Sequence, residues 1–496
     1  MNVSRRDSLW LINATVVIGY IILSLASDGL AVVRRPNVVY LFADQWRAAA
    51  TGYSGDPNVK TPNLDKLVTK SVNFGNAVSV CPVCTPYRAS LMTGRYPTST
   101  GMFMNDLYLP DQELCMGEIF KAAGYSTAYI GKWHLDGHGR SSYIPIERRQ
   151  GFEYWKAGEC DHNYMKSHYY SGTSAEKKFW EGYDAFAQTR DARQYIHDHA
   201  KDGKPFLLVV SYGVPHFPHN TAPKEYAEMY PPEKLILAPN VDKNMELNVR
   251  KELSGYYAHC SALDKCIGEM VQTLQEAGLA DNTILVFTSD HGEMMGAQHI
   301  APRTKQYPFD EACRVPFLLC YPDGQGKGIR SIREPINTPD ILPTLLGLAG
   351  VAIPKTVEGK DLSALVKGTA RMPERAVLIM SVSPFVSGSN LCEYRGIRTY
   401  RYTYVKNLSG VWLLYDNQED PWQLNNLAGK PGHETLQKEL NEKLITELKK
   451  IGDEFKPRKF YLDKWGYKVD EGGQIPYDGN AEVQGPQWKE PGRINK

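Results

Sequence analysis

Residues 37–45 read NVVYLFADQ, an apolar run without alternation that gives way to a carboxylate and an amide. A short run of this kind, rich in β-branched and aromatic residues, reads as a strand buried on both faces, as in a parallel sheet. The pattern recurs in FLLVVSY at 206–212 and TILVFT at 283–288. Each again ends in polar chemistry: His216 and His219 follow the second run, Asp290 and His291 the third. Helical stretches lie between, one over 62–70 with Thr61 at the N-cap and Pro62 at the first helical position, another from 247 to 277. Strands alternating with helices predict a layered α/β sheet. Ligands of open α/β sheets bind beyond the carboxyl ends of the strands, so the three polar clusters are expected to share one crevice.

The 496 residues are 42% hydrophobic and 23% charged, values of an ordinary globular chain. Fifty-seven Lys and Arg against 56 Asp and Glu leave a formal charge of +1, without the long-range field of a nucleic-acid binder. Arg5 and Arg6 precede an apolar run at 9–25, followed by small residues up to Ala31. This predicts a cleaved export signal over 1–31 and a periplasmic or secreted product with no membrane association after cleavage. A retained anchor is the alternative; the shortness of the run and Asn13 within it argue against that. Nine cysteines leave room for one or two disulfides but do not make a disulfide framework. Cys81 and Cys84 form a C-x-x-C, yet no second Cys or His pair follows at zinc spacing. After residue 372, aromatic alternation at 394–405 and 411–415 predicts antiparallel strands, with a helix at 433–451 and an extended tail from 472.

From Cys84 the chain reads CTPYRASLMTGR, which closely resembles the C-x-P-x-R…T-G-R signature of the sulfatase family. Further resemblances are GKWHL at 131–135, PHFPH at 215–219, SDHGEMMGAQH at 289–299, KQYPFDEACRVP at 305–316 and NTPDILPTLLGLAG at 337–350. The fold implied is an alkaline-phosphatase-like α/β sandwich over 32–371, with a mixed, mostly parallel central sheet flanked by helices. A smaller C-terminal α+β part over 372–496, with a four-stranded antiparallel sheet, is implied to complete the cleft. The resemblance implies that a formylglycine-generating enzyme reads Cys84, Pro86 and Arg88 and oxidises Cys84 to formylglycine; Tyr87 departs from the commoner Ser.

A hydrated aldehyde suits this chemistry because one geminal hydroxyl attacks sulfur and the other, once deprotonated, expels sulfate. By resemblance, Lys132 binds a sulfate oxygen, His134 acts as base on the second hydroxyl, and His216 acts on the leaving oxygen. Lys305 is the active-site lysine of its block. Asp44, Gln45, Asp290 and His291, together with residue 84, are implied metal ligands, for Ca²⁺ on the strength of the oxygen donors, with Mg²⁺ or Mn²⁺ as alternatives. Arg88, Lys132, Lys305 and the ion are expected to surround the sulfuryl group. His162, within ECDHNYMKSHYY at 159–170, is a candidate for lining a sugar site. The implied activity is hydrolysis of a sulfate ester, with a sulfated carbohydrate as the substrate expected. Two rivals stand beside it: hydrolysis of phosphonate monoesters or phosphodiesters on the same scaffold, and non-catalytic binding of sulfated glycans. The second is disfavoured because every nucleophile, metal and leaving-group position is filled.

Overall fold

The computed structural model describes residues 35–325, 330–371, 373–385, 391–477 and 481–486, so the expected export signal lies outside the described residues. The three apolar runs belong to five parallel strands: β1 (Asn37–Asp44), β2 (Ser126–Lys132), β3 (Tyr154–Gly158), β4 (Phe206–Pro215) and β5 (Thr283–Ser289). They stand in the order β5-β1-β4-β2-β3 at the centre of a ten-stranded sheet. Beyond β5 the sheet continues with Phe317–Cys320, antiparallel, then Val72–Phe74 and Arg330–Ile332; beyond β3 it ends in His168–Ser171 and Lys178–Phe179.

All eight residues of β1 are buried because the strand feeds two cores. Val38, Tyr40 and Phe42 join one cluster, with side chains of α2 (Cys84–Thr93) and α5 (Thr338–Ala349). Val39, Leu41 and Ala43 face the other, with α3 (Asp184–His199) and α4 (Glu246–Glu276). Burying each large aliphatic or aromatic side chain contributes about 1.5–3 kcal/mol, so a polar residue on either face of this strand is costly. Helix α1 spans Pro62–Val68, and Thr61 stands at its N-cap as expected, yet its side chain makes no capping bond. Asp264 of α4 takes over, accepting from the amides of Asn63 (3.0 Å) and Leu64 (2.8 Å) and tying one helix start to another helix.

A separate antiparallel sheet runs in chain order through Val377–Ser381, Tyr394–Arg398, Tyr402–Asn407 and Gly410–Asp416. The helix Glu434–Lys450 buries Leu440, Leu444 and Leu448, spaced one turn apart, and contacts this sheet. All nine cysteines are free. No helix among the described residues is long and apolar enough to cross a membrane.

Candidate active site

Every central strand delivers polar residues to the same end of the sheet. Asp44 and Gln45 leave β1, Lys132 ends β2 with His134 just beyond, Glu159 and Cys160 leave β3, His216 leaves β4, and Asp290 and His291 leave β5. Cys84 is the first residue of α2, at the positive end of the helix dipole, which favours negative charge. Gln45 and His134 hold left-handed backbone, φ 70° and 57°, conformations that cost a non-glycine residue about 1–3 kcal/mol and persist where surrounding structure enforces them.

The Cys84 sulfur lies 3.2 Å from Lys305 Nζ, 3.3 Å from His291 Nε2, 3.7 Å from Asp44 Oδ1 and 3.9 Å from Lys132 Nζ. Lys132 Nζ donates to Asp44 Oδ2 at 2.7 Å. Asp44, Cys84, Asp290 and His291 are buried, and their ligand atoms lie within 4.8 Å of one another. Asp290 Oδ1 accepts from the Gln45 and His291 amides, and Gln45 Oε1 is 3.3 Å from Lys305 Nζ. Two convergent carboxylates, an amide oxygen and one imidazole nitrogen make a donor set that fits a hard divalent cation.

Arg88 departs from the expectation that it faces the anion. Its guanidinium is fully buried; Nη2 donates to Asp44 Oδ2 and Asp290 Oδ2, both at 3.1 Å, and Nη1 to the Lys132 carbonyl and Ser211 Oγ. Two buried carboxylates side by side need a fixed counter-charge, and Arg88 supplies it from behind them.

His134 Nε2 is 3.2 Å from Asp106 Oδ1, and Arg140 clamps the same carboxylate through two bonds of 2.9 and 2.8 Å. His134 Nδ1 has no protein partner. His216 donates from Nδ1 to the Phe217 carbonyl at 2.8 Å, which leaves the lone pair on Nε2, 3.1 Å from Lys305 Nζ. His162 stacks on His216 with ring centroids 4.4 Å apart, and its Nε2 is 3.6 Å from Cys160 Sγ. His219 is turned away, 2.7 Å from Glu252.

Burial opposes ionisation of Asp44, but Lys132, Arg88 and Lys305 reverse it and hold the carboxyl well below its ordinary range. Burial and Asp44 push the Cys84 thiol up; Lys132, Lys305 and His291 overcome both and draw it well down. Asp290 is raised by burial and by Asp44 beside it. His216 is lowered by burial, Lys305 and His162, so its imidazole is neutral. Burial works against charge on His134, whereas Cys160, Asp106 and Cys84 raise it to about 9.

The structure therefore brings Asp44, Gln45, Cys84, Lys132, His134, His216, Asp290, His291 and Lys305 to one sheet end, with Arg88 behind and His162 beside His216. Sequence reasoning missed Asp106, Arg140, Glu159 and Cys160. Asp106 and Arg140 carried no local signal. Glu159, which accepts from the amides of Asp136 (2.8 Å) and Gly137 (3.0 Å) and so holds the loop after His134, becomes visible once Tyr154–Gly158 is recognised as a strand.

Comparison with known proteins agrees with this geometry. Residues 36–351 match the family model described as Sulfatase, and 303–450 match N-sulphoglucosamine sulphohydrolase, C-terminal. The chain is 55% identical over 458 residues to an ulvan-active sulfatase of Formosa agariphila, covering 91% of this chain and 89% of that one. It is 30% identical over 492 residues to an endo-4-O-sulfatase of Bacteroides thetaiotaomicron, covering 87% and 95%. A solved structure from work on glycosaminoglycan metabolism by Bacteroides thetaiotaomicron superposes with a TM-score of 0.77 at 29% identity, over 87% of this chain and 98% of that one. The chain belongs to the sulfatase family and is a sulfuric ester hydrolase of the alkaline-phosphatase-like fold.

Proposed function

We propose that the protein removes sulfate from a sulfated polysaccharide of the ulvan type, using formylglycine formed at Cys84 by a formylglycine-generating enzyme. The observation that carries this reading is the position of the residue 84 side chain, ringed by Lys305, His291, Lys132 and Asp44 at 3.2–3.9 Å. Asp44, Gln45, Asp290 and His291 would hold Ca²⁺, with Mg²⁺ or Mn²⁺ as alternatives, and the bound ion would supply Lewis-acid stabilisation of charge on the sulfuryl oxygens. Lys132 and Lys305 present their ammonium groups on the same side and stabilise that charge directly.

Once converted and hydrated, residue 84 would supply one hydroxyl to attack sulfur while the bond from sulfur to the glycan oxygen breaks. Asp106 holds His134 by Nε2, leaving Nδ1 free to take the proton of the second hydroxyl as sulfate departs. A neutral diol in place of the thiolate removes the Cys84 contribution to the raised His134 value and brings the imidazole closer to a working base. His216 keeps its Nε2 lone pair toward Lys305, so this pair shares the proton destined for the leaving oxygen. His162, stacked on His216, would line the sugar side. The relatives that act on ulvan and as an endo-4-O-sulfatase support a glycan substrate, and the N-terminal pattern of Arg5, Arg6 and the apolar run at 9–25 supports export to where polysaccharide is met.

The test is inorganic sulfate release from ulvan, glycosaminoglycans and carrageenans, run beside nitrophenyl phosphonate. Sulfate release from ulvan, with phosphonate turned over far more slowly, is expected; phosphonate turnover without sulfate release from any glycan would overturn the reading.

A further inference from the structure

On the face of the sheet covered by α3, a cavity of about 20 Å³ is lined by Gly131, Gly158 and Gly213 and by His168, Asp184 and Gln188, with Lys132, Asp161, Ser167 and Trp180 completing its wall. It has room for one water molecule or one ion. A Cβ at Gly158 would stand 2.9 Å from the His168 carbonyl oxygen and 3.3 Å from His168 Nε2, and one at Gly131 would stand 2.0 Å from the Ser211 carbonyl oxygen and 3.4 Å from Gln188 Oε1, so neither strand position admits a side chain.

The three polar side chains are almost wholly buried, at 5%, 2% and 2% exposure, and each leaves one atom without a protein partner: His168 Nε2, Asp184 Oδ1 and Gln188 Oε1. Asp161 Oδ2 lies 2.6 Å from His168 Nδ1. An ionised carboxylate only accepts, so Nδ1 carries the hydrogen and Nε2 points a lone pair into the cavity. The second oxygen of Asp184 accepts from Ser167 Oγ at 2.8 Å. Burial raises Asp184 to about 7, Ser167 and the Ala185 amide work against this, and the one charged neighbour acting on it is another carboxylate, Asp161. Three buried polar atoms without a protein partner thus line one small cavity.

We infer that this cavity is a second divalent-cation site, ligated by His168 Nε2, Asp184 Oδ1 and Gln188 Oε1. Asp161 orients the imidazole, as carboxylates do behind metal-binding histidines. One imidazole, one carboxylate and one amide oxygen in so small a space favour a borderline ion of the Zn²⁺ or Mn²⁺ class over Ca²⁺, which takes six to eight oxygens. The ion would join the first turn of α3 to the segment 161–168, and so brace His162 against His216.

The experiment measures bound Co²⁺ and Mn²⁺ on the full chain by absorption and elemental analysis, and needs no turnover. In an Asp290→Asn background, which disables the site at the sheet end, one equivalent of Co²⁺ is expected. It is lost on adding His168→Gln or Asp184→Asn, the latter keeping the side-chain shape. Asp161→Asn weakens it 10- to 100-fold. Anomalous diffraction from wild-type crystals grown with Mn²⁺ tests the same point without any variant, with a peak expected in the cavity. No Co²⁺ in the Asp290→Asn chain, binding unaffected by His168→Gln and Asp184→Asn, or density in the cavity with no anomalous signal each overturns the site, whatever the enzyme's substrate proves to be.

Discussion

Cys81 and Cys84 stand three positions apart and are each 1% exposed, yet their chemistry is opposite. Burial pushes the Cys81 thiol up to about 12, with only Arg395 pulling the other way. The Cys84 thiol feels the same burial plus Asp44 and is nonetheless drawn well down by Lys132, Lys305 and His291. Burial alone makes a cysteine inert; fixed cations inside the same dry environment make it an anion site. Carboxylates repeat the contrast: Asp44, ringed by cations, is held low, whereas Asp184, equally buried with only Asp161 for charged company, rises to about 7. The positive field is therefore confined to one sheet end of a chain whose net charge is +1.

The largest effect follows from exchanging the two thiols. Cys84→Ala is expected to lower kcat by a factor on the order of 10⁴ or more, because no other side chain can take the nucleophile's place. Cys81→Ala should leave kcat within roughly twofold and cost about 1–2 kcal/mol of stability through the small cavity it opens. Sulfate release and thermal unfolding on both variants decide the matter, and equal loss of activity would break the contrast. Next in size, Lys305→Met removes the ammonium nearest both Cys84 and His216. A fall of about 10²–10³ in kcat/KM is expected, as for loss of one group that stabilises developing charge. Asp106→Asn should cost less, about 10- to 100-fold in kcat with KM little changed, since it acts through the orientation of His134; steady-state kinetics on the preferred glycan separate the two terms.

The five strand exits also mark where sequence was sufficient. The runs at 37–42, 206–212 and 283–288 announced β1, β4 and β5 because both faces of each are buried and neither can alternate. Tyr154–Gly158 is the outermost of the five parallel strands and short, and Lys156 interrupts it, exposing its ammonium to pair with Asp191 at 2.7 Å. Its exit residues Glu159 and Cys160 therefore went unread. Asp106 and Arg140 reach His134 from 28 positions before and 6 after through loops, a proximity that only tertiary structure creates. Arg88 was placed in the right neighbourhood by its motif, but which way its guanidinium turns depends on Asp44 and Asp290, both brought in by other strands.

The smallest expected effect sets a second His–carboxylate pair against the one at Cys84. Glu252 is held at about 2 by its hydrogen bond from His219, against burial, with Arg303 adding two bonds of 3.0 and 2.8 Å. A glutamate drawn down from 4.5 in this way stabilises the fold fully above pH 4.5, and the gain disappears as the pH falls toward 2. Linkage would put it at about 3 kcal/mol, but Arg303 is 48% exposed and solvent screens it, leaving about 1–2 kcal/mol. Glu252→Gln should therefore unfold at lower denaturant than wild type at pH 6–7, and the gap should narrow below pH 4.5 and close as the pH approaches 2. No part of this pair touches Cys84, so kcat should stay within about twofold. A Glu252→Gln enzyme that kept its stability but lost turnover would move His219 from scaffold to active site, and the confinement of reactive chemistry to the five strand exits would no longer hold.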